Sequence, residues 1–166
     1  MNFIVGYSSI LEDNSYDYII SHDSFEHFED PNYILSEMAR LVKPDGCILI
    51  KFGPTWAGPY GRHMSGTFKK STPWIHLLFP EKNMMRVHSV YHNEIILHEK
   101  YKDLEGGMNK MTVKKAMHIV KSFKNLAIEE LKITYLWKGG IFKKIPFINE
   151  LFSSSVFLKI KKINSL

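Results

Sequence analysis

Between Tyr16 and Phe52 the chain carries a pattern that few folds accommodate: an apolar segment, a punctuated helical stretch and a second apolar segment. Tyr16 to Ser21 (YDYIIS) is rich in aromatic and β-branched residues and ends at polar His22-Asp23, as a strand does. Asp30 can accept from the exposed amides of a helix start, and Pro31 suits the first helical position, where its missing N–H has no partner to lose. Ile34, Leu35, Met38, Leu41 and Val42 recur at helical spacing, and Pro44 disfavours helical backbone at Lys43, so Lys43-Pro44-Asp45-Gly46 ends the helix. Cys47-Ile48-Leu49-Ile50-Lys51-Phe52 shows little polar alternation, the pattern of a strand covered on both faces. A strand–helix–strand unit of this kind makes a right-handed crossover between parallel strands, and the fold class is α/β.

From Gly53 to about Lys110 the regular signals weaken, and Gly and Pro residues break the chain repeatedly. Long stretches of this kind in compact domains are commonly lids or binding loops. This one holds Trp56, Tyr60, Trp74 and Phe79 with His63, His76, His88, His92 and His98. Short helices are predicted around Trp74 to Phe79 and Tyr91 to Lys102. Thr112 can cap a helix whose inward face is Val113, Ala116, Met117, Val120 and Phe123. Ala127 to Trp137 and Val156 to Lys162 read as strands, the second alternating Val156, Leu158 and Ile160 with Lys159 and Lys161. Gly139-Gly140 marks a turn between them, and Phe147 to Phe152 a short helical piece. The expected organisation is a single domain over 1–166: a core at 1–52, a loop or lid region at 53–110, and a carboxyl-terminal helix and strand pair at 111–166.

A length of 166 residues suits one domain and leaves no room for a second. The net charge of +5 is concentrated late, at Lys138, Lys143, Lys144, Lys159, Lys161 and Lys162, which reads as a solvated face; a weak anionic-surface module is the competing reading. Cys47 has no second cysteine to pair with, which points to a reducing compartment. Met1 to Val5 lacks a basic leader pattern, and no apolar run approaches the ~20 residues of a membrane span. A cytoplasmic location is expected.

The run from Asp17 to Pro31 (DYIISHDSFEHFEDP), followed by Glu37-Met38-Ala39-Arg40-Leu41-Val42-Lys43-Pro44-Asp45-Gly46, resembles class I S-adenosylmethionine (SAM)-dependent methyltransferases of the type 11 branch. The resemblance is close over about Asn2 to Phe52 and looser beyond. It implies a Rossmann-like sheet of order 3-2-1-4-5-7-6, with Tyr16 to Ser21 as strand 4, Cys47 to Phe52 as strand 5, Ala127 to Trp137 as strand 6 and Val156 to Lys162 as strand 7. Strands 1 and 2, with their glycine-rich loop and ribose-binding acid, have no counterpart, and Phe3-Ile4-Val5-Gly6 matches the end of strand 3. The expectation is therefore an incomplete, N-terminally truncated sheet retaining strands 4-5-7-6.

The cofactor implied is SAM. The resemblance assigns Tyr7, Ser21, His22, Asp23 and Glu26 to cofactor binding; Tyr7 stands where the family commonly has an Asp. His63 is the implied general base, because an imidazole titrating near neutrality can take the acceptor's proton; an exposed loop histidine is the alternative. His27 is the second catalytic candidate, with a packed imidazole satisfied by a backbone carbonyl as its alternative, and Glu26 alternatively braces a turn. Trp74 to Phe79 resembles a lid segment, with core packing as the alternative. No HExxH or paired-cysteine spacing exists, so no metal site is expected, and neither a P-loop nor a nucleophile elbow is present. The implied partner is a small-molecule methyl acceptor, with no specific nucleic acid. The competing class is a non-catalytic interaction module that self-associates, or binds a partner chain, through an exposed strand-4 edge.

Overall fold

The computed structural model describes residues 8–64, 66–67, 72–95, 98–104, 106–136, 145 and 148–163. Phe3 to Gly6, Tyr7, the Gly139-Gly140 turn and Lys138, Lys143 and Lys144 lie outside the described residues. A four-stranded sheet forms from β1 (Tyr16–His22), β2 (Val42–Phe52), β3 (Leu126–Tyr135) and β4 (Ser153–Lys162) in the order β1-β2-β4-β3. β1 and β2 are parallel, and β4 runs antiparallel to both β2 and β3. This is the 4-5-7-6 arrangement that the resemblance implies.

Helix α1 (Pro31–Leu41) starts as the sequence directs: the Asp30 side chain accepts from the amides of Asn32 and Tyr33, and Pro31 takes the first turn. Leu35, Met38 and Ala39 face the sheet. The chain then passes directly into β2, so the predicted turn is absorbed as an irregularity within the strand rather than lying ahead of it. The register shows this, with Tyr16 opposite Val42 but Tyr18 opposite Cys47. Asp45 adopts a left-handed backbone (φ 63°), and a Cβ at Gly46 would meet Val42 Cγ2 at 2.7 Å and the Lys43 carbonyl at 2.8 Å. Only glycine fits there.

Thr112 caps α4 (Val113–Ser122) by accepting from the Lys115 amide, and Val113, Ala116, Ile119 and Val120 are buried. α1, α4 and the sheet enclose one core in which Val42, Ile48, Ile50, Phe52, Leu158 and Ile160 are fully buried. Lys159 pairs with Glu129 at 2.7 Å, and Lys162 donates to Asn14 Oδ1 and the Val42 carbonyl. These lysines are tied into the sheet through β4. Cys47 is buried in β2.

The region after β2 is more ordered than its sequence indicates. α2 (Ile75–Leu78) matches the first predicted helix, but the second is displaced: α3 covers Glu81–His92, not Tyr91 to Lys102. The physical signals are Pro80, which precedes the helix, and Asn93, whose left-handed backbone (φ 53°) ends it with its amide on Ser89 and Val90. Met64, Met84, Met85, Tyr101 and Met108 form a second small core, with Trp56, Ile75 and Leu104 packed on it. α5 (Ile148–Leu151) leads into β4. Trp74 packs edge-on against Phe152 and donates its indole N–H to Leu151, a packing role. No described helix is long and apolar enough to cross a membrane.

Candidate functional site

In an open parallel sheet, ligands lie beyond the carboxyl ends of the strands. β1 ends at Ser21 and His22, and the chain turns at Asp23, whose φ of 48° lets its amide donate to the Lys51 carbonyl of β2 at 2.8 Å. Ser21 is buried and bonded to Ser24. The His22 and Asp23 side chains are about half exposed and pair at 2.9 Å, with Lys51 Nζ 3.1 Å from the other His22 nitrogen. A hydroxyl, a carboxylate and a cation are thus presented at the strand end. Tyr7, the remaining candidate on this wall, lies outside the described residues.

Glu26 goes elsewhere. Its side chain is 1% exposed; Oε1 accepts from the Gly53 amide just past β2, and Oε2 is buried with no partner. It locks the post-β1 loop to the post-β2 loop. His27 Nδ1 stands 2.5 Å and 2.7 Å from the carbonyls of Gly106 and Gly107. Carbonyls only accept, so Nδ1 carries the proton and Nε2 keeps a lone pair. The expectation of an imidazole satisfied by backbone carbonyls matches this geometry, although His27 is solvent-exposed.

His63 is not an exposed loop residue. It is part-buried with a left-handed backbone (φ 54°), uncommon outside glycine, and its Nε2–H donates to the Pro54 carbonyl at 2.8 Å. Burial pushes its pKa down, while the Pro54 contact and nearby Glu26 oppose that. Its Nδ1 is left as the acceptor. The His27 and His63 rings meet edge-on with centroids 5.5 Å apart. Glu26, His27 and His63 each offer a donor atom, all within 4.8 Å of one another.

His27 and His63 line a cavity of about 830 Å3 whose wall continues through Arg62, His88, His92 and His98. His88 and His92 stack at 4.4 Å, and Glu94 lies 3.4 Å from His88. The histidine enrichment of 53–110 is visible in the sequence, but its convergence on one cavity depends on α3 lying at Glu81–His92, earlier than the sequence signals place a helix. His76 falls outside this group: it is buried and donates to the Trp56 carbonyl at 2.6 Å. Arg62, which sequence spacing did not flag, is buried on the cavity wall. Asn109 donates to the carbonyls of Phe25 and Phe28 and fixes the loop that carries Glu26 and His27.

Sheet order, parallel pair and a polar cluster beyond the strand ends together define a methyltransferase-type α/β fold. The structure is similar to SAM-dependent methyltransferases from Methanosarcina mazei (TM-score 0.50, 14% identity, 97% of this chain and 66% of that one). It is also similar to a protein described as an S-adenosylmethionine dependent methyltransferase from Listeria monocytogenes (TM-score 0.53, 11% identity, 93% of this chain and 64% of that one). At these identities the likeness establishes the fold. Residues 4–50 match the family described as a methyltransferase domain. An uncharacterized methyltransferase of Mycobacterium bovis (strain BCG / Pasteur 1173P2) is 36% identical over 56 residues, which are 34% of this chain and 22% of that relative. This segment is therefore similar to a methyltransferase domain, and the chain spans about a fifth of the length of that relative.

Proposed function

We propose that this chain contributes the acceptor side and one cofactor wall of a SAM-dependent methyltransferase acting on a small molecule. The observation that carries the reading is the placement of His27 and His63, in the connections that follow β1 and β2, at the wall of a cavity of small-molecule size, with Glu26 buried beside them. Ser21, His22 and Asp23 offer polar groups suited to the charged methionine portion of SAM at an open strand end. SAM supplies a sulfonium methyl, which passes to an acceptor atom as the carbon–sulfur bond breaks. The chain's task is alignment, the larger part of such a rate, and removal of the acceptor's proton. That proton goes to the unprotonated Nδ1 of His63, with His27 beside it.

The chain spans 64% and 66% of the two solved relatives, and the described sheet has four strands. On this reading it binds SAM weakly and is inactive alone. Calorimetric titration with SAM tests this: weak or undetectable heat is expected, and micromolar affinity would contradict it.

A second reading has its own observation. On β1, which has β2 as its only neighbour among the described strands, Tyr18 and Ile20 are 66% and 68% exposed. Such an edge pairs readily with another chain, so an interaction module is the alternative function.

A further inference from the structure

We infer that Glu26, His27 and His63 form a binding site for a divalent transition-metal ion of the zinc type. Three features that sequence spacing does not reveal converge here. The donor atoms already lie within 4.8 Å of one another. A tetrahedral zinc site with bonds of about 2.0–2.1 Å puts its ligand atoms roughly 3.3 Å apart, so the three donors would draw together on binding. Both imidazoles have their protonated nitrogen anchored on a backbone carbonyl, His27 on Gly106 and Gly107 and His63 on Pro54. That arrangement fixes the tautomer and leaves the other ring nitrogen of each with a lone pair to offer, as the outer partners of metal-bound histidines do.

The third feature is the carboxylate. Glu26 is 1% exposed, one oxygen is held by the Gly53 amide, and the other is buried without a partner. An unpartnered buried acceptor is costly, and a cation supplies what the protein does not. Two imidazoles and one carboxylate match zinc and its first-row neighbours rather than magnesium or calcium, which prefer all-oxygen shells. Three protein ligands also leave a position open toward the cavity lined by His27 and His63. An acceptor hydroxyl bound there would lose its proton more readily, and the cation would take over the role given to His63 above.

Binding itself needs neither cofactor nor acceptor, so this inference stands or falls apart from the methyl-transfer reading. The full chain, stripped with chelator, is titrated with zinc chloride by calorimetry and with cobalt chloride by visible absorption. The expected result is one equivalent per chain at micromolar affinity or tighter, weakened by about tenfold or more in Glu26→Gln and in His63→Gln. Glu26→Gln keeps an acceptor for Gly53, and its circular dichroism reports folding; the exposed His27→Gln replaces it if that variant does not fold. His88→Gln, in the neighbouring histidine cluster, is expected to leave the affinity unchanged. Absence of stoichiometric binding, unchanged affinity in the site variants, or loss in His88→Gln would overturn the proposal.

Discussion

Arg40 holds the entry to the sheet. Its guanidinium donates to both oxygens of Glu37, to Asp13, and to the carbonyls of Ser8 and Leu11. The Glu37 carboxyl, held by Arg40 and Ser8, drops from its ordinary value of 4.5 to about 2. A depressed carboxylate pKa contributes stability that is present above the unfolded value and is lost as pH falls through the folded one. Arg40→Gln is therefore expected to lower the unfolding midpoint near neutrality, and the deficit should shrink between pH 4.5 and about 2. Thermal melts across that range check it; a deficit independent of pH would contradict it. At Asp30, which caps α1 through Asn32 and Tyr33, substitution by Ala should cost about 0.5–2 kcal/mol in urea unfolding. Asp30 is legible in sequence because it acts on its own neighbours, whereas Arg40 also reaches Ser8, Leu11 and Asp13 across the fold. Glu26 and His63 are not legible in that way, since Glu26 finds Gly53, and His63 finds His27, only once β1 and β2 lie side by side.

At the level of elements, β4 is the strand on which the sheet depends, lying between β2 and β3 with Val156, Leu158 and Ile160 buried. Leu158→Ala should destabilise by roughly 2–5 kcal/mol, read from the urea midpoint at unchanged slope. β1, α1, β2, α4 and β4 were readable because periodicity and punctuation agree: Asp30-Pro31 opens α1, Thr112 opens α4, and alternation exposes the inner face of β4. α3 was misplaced because its buried side is narrow, with only Met84, Met85 and Ser89 fully buried, so no strong apolar stripe marks it. Its end signals, Pro80 and Asn93, carried the information instead. The outer face of β1 belongs to this scale too. If Tyr18 and Ile20 form a contact surface, light scattering will show concentration-dependent association that Ile20→Lys abolishes; a monomer at all concentrations would argue against the interaction reading.

For the whole molecule, the order β1-β2-β4-β3 brings the connections that follow β1 and β2 together, and His27 and His63 from those connections line one cavity. A close pattern over 4–50 matches a methyltransferase domain, while the whole chain is related to the solved structures through fold alone, at 11% and 14% identity. That contrast explains why the first third of the chain was readable in detail and the cavity was not. On the proposed function, a SAM-type ligand meets this chain at the carboxyl end of β1. Heteronuclear NMR titration of the full chain with S-adenosylhomocysteine decides this, because it locates even millimolar binding. Amide shifts should concentrate at Ser21, His22 and Asp23; a response elsewhere with these amides unmoved, or none at millimolar ligand, would overturn the reading.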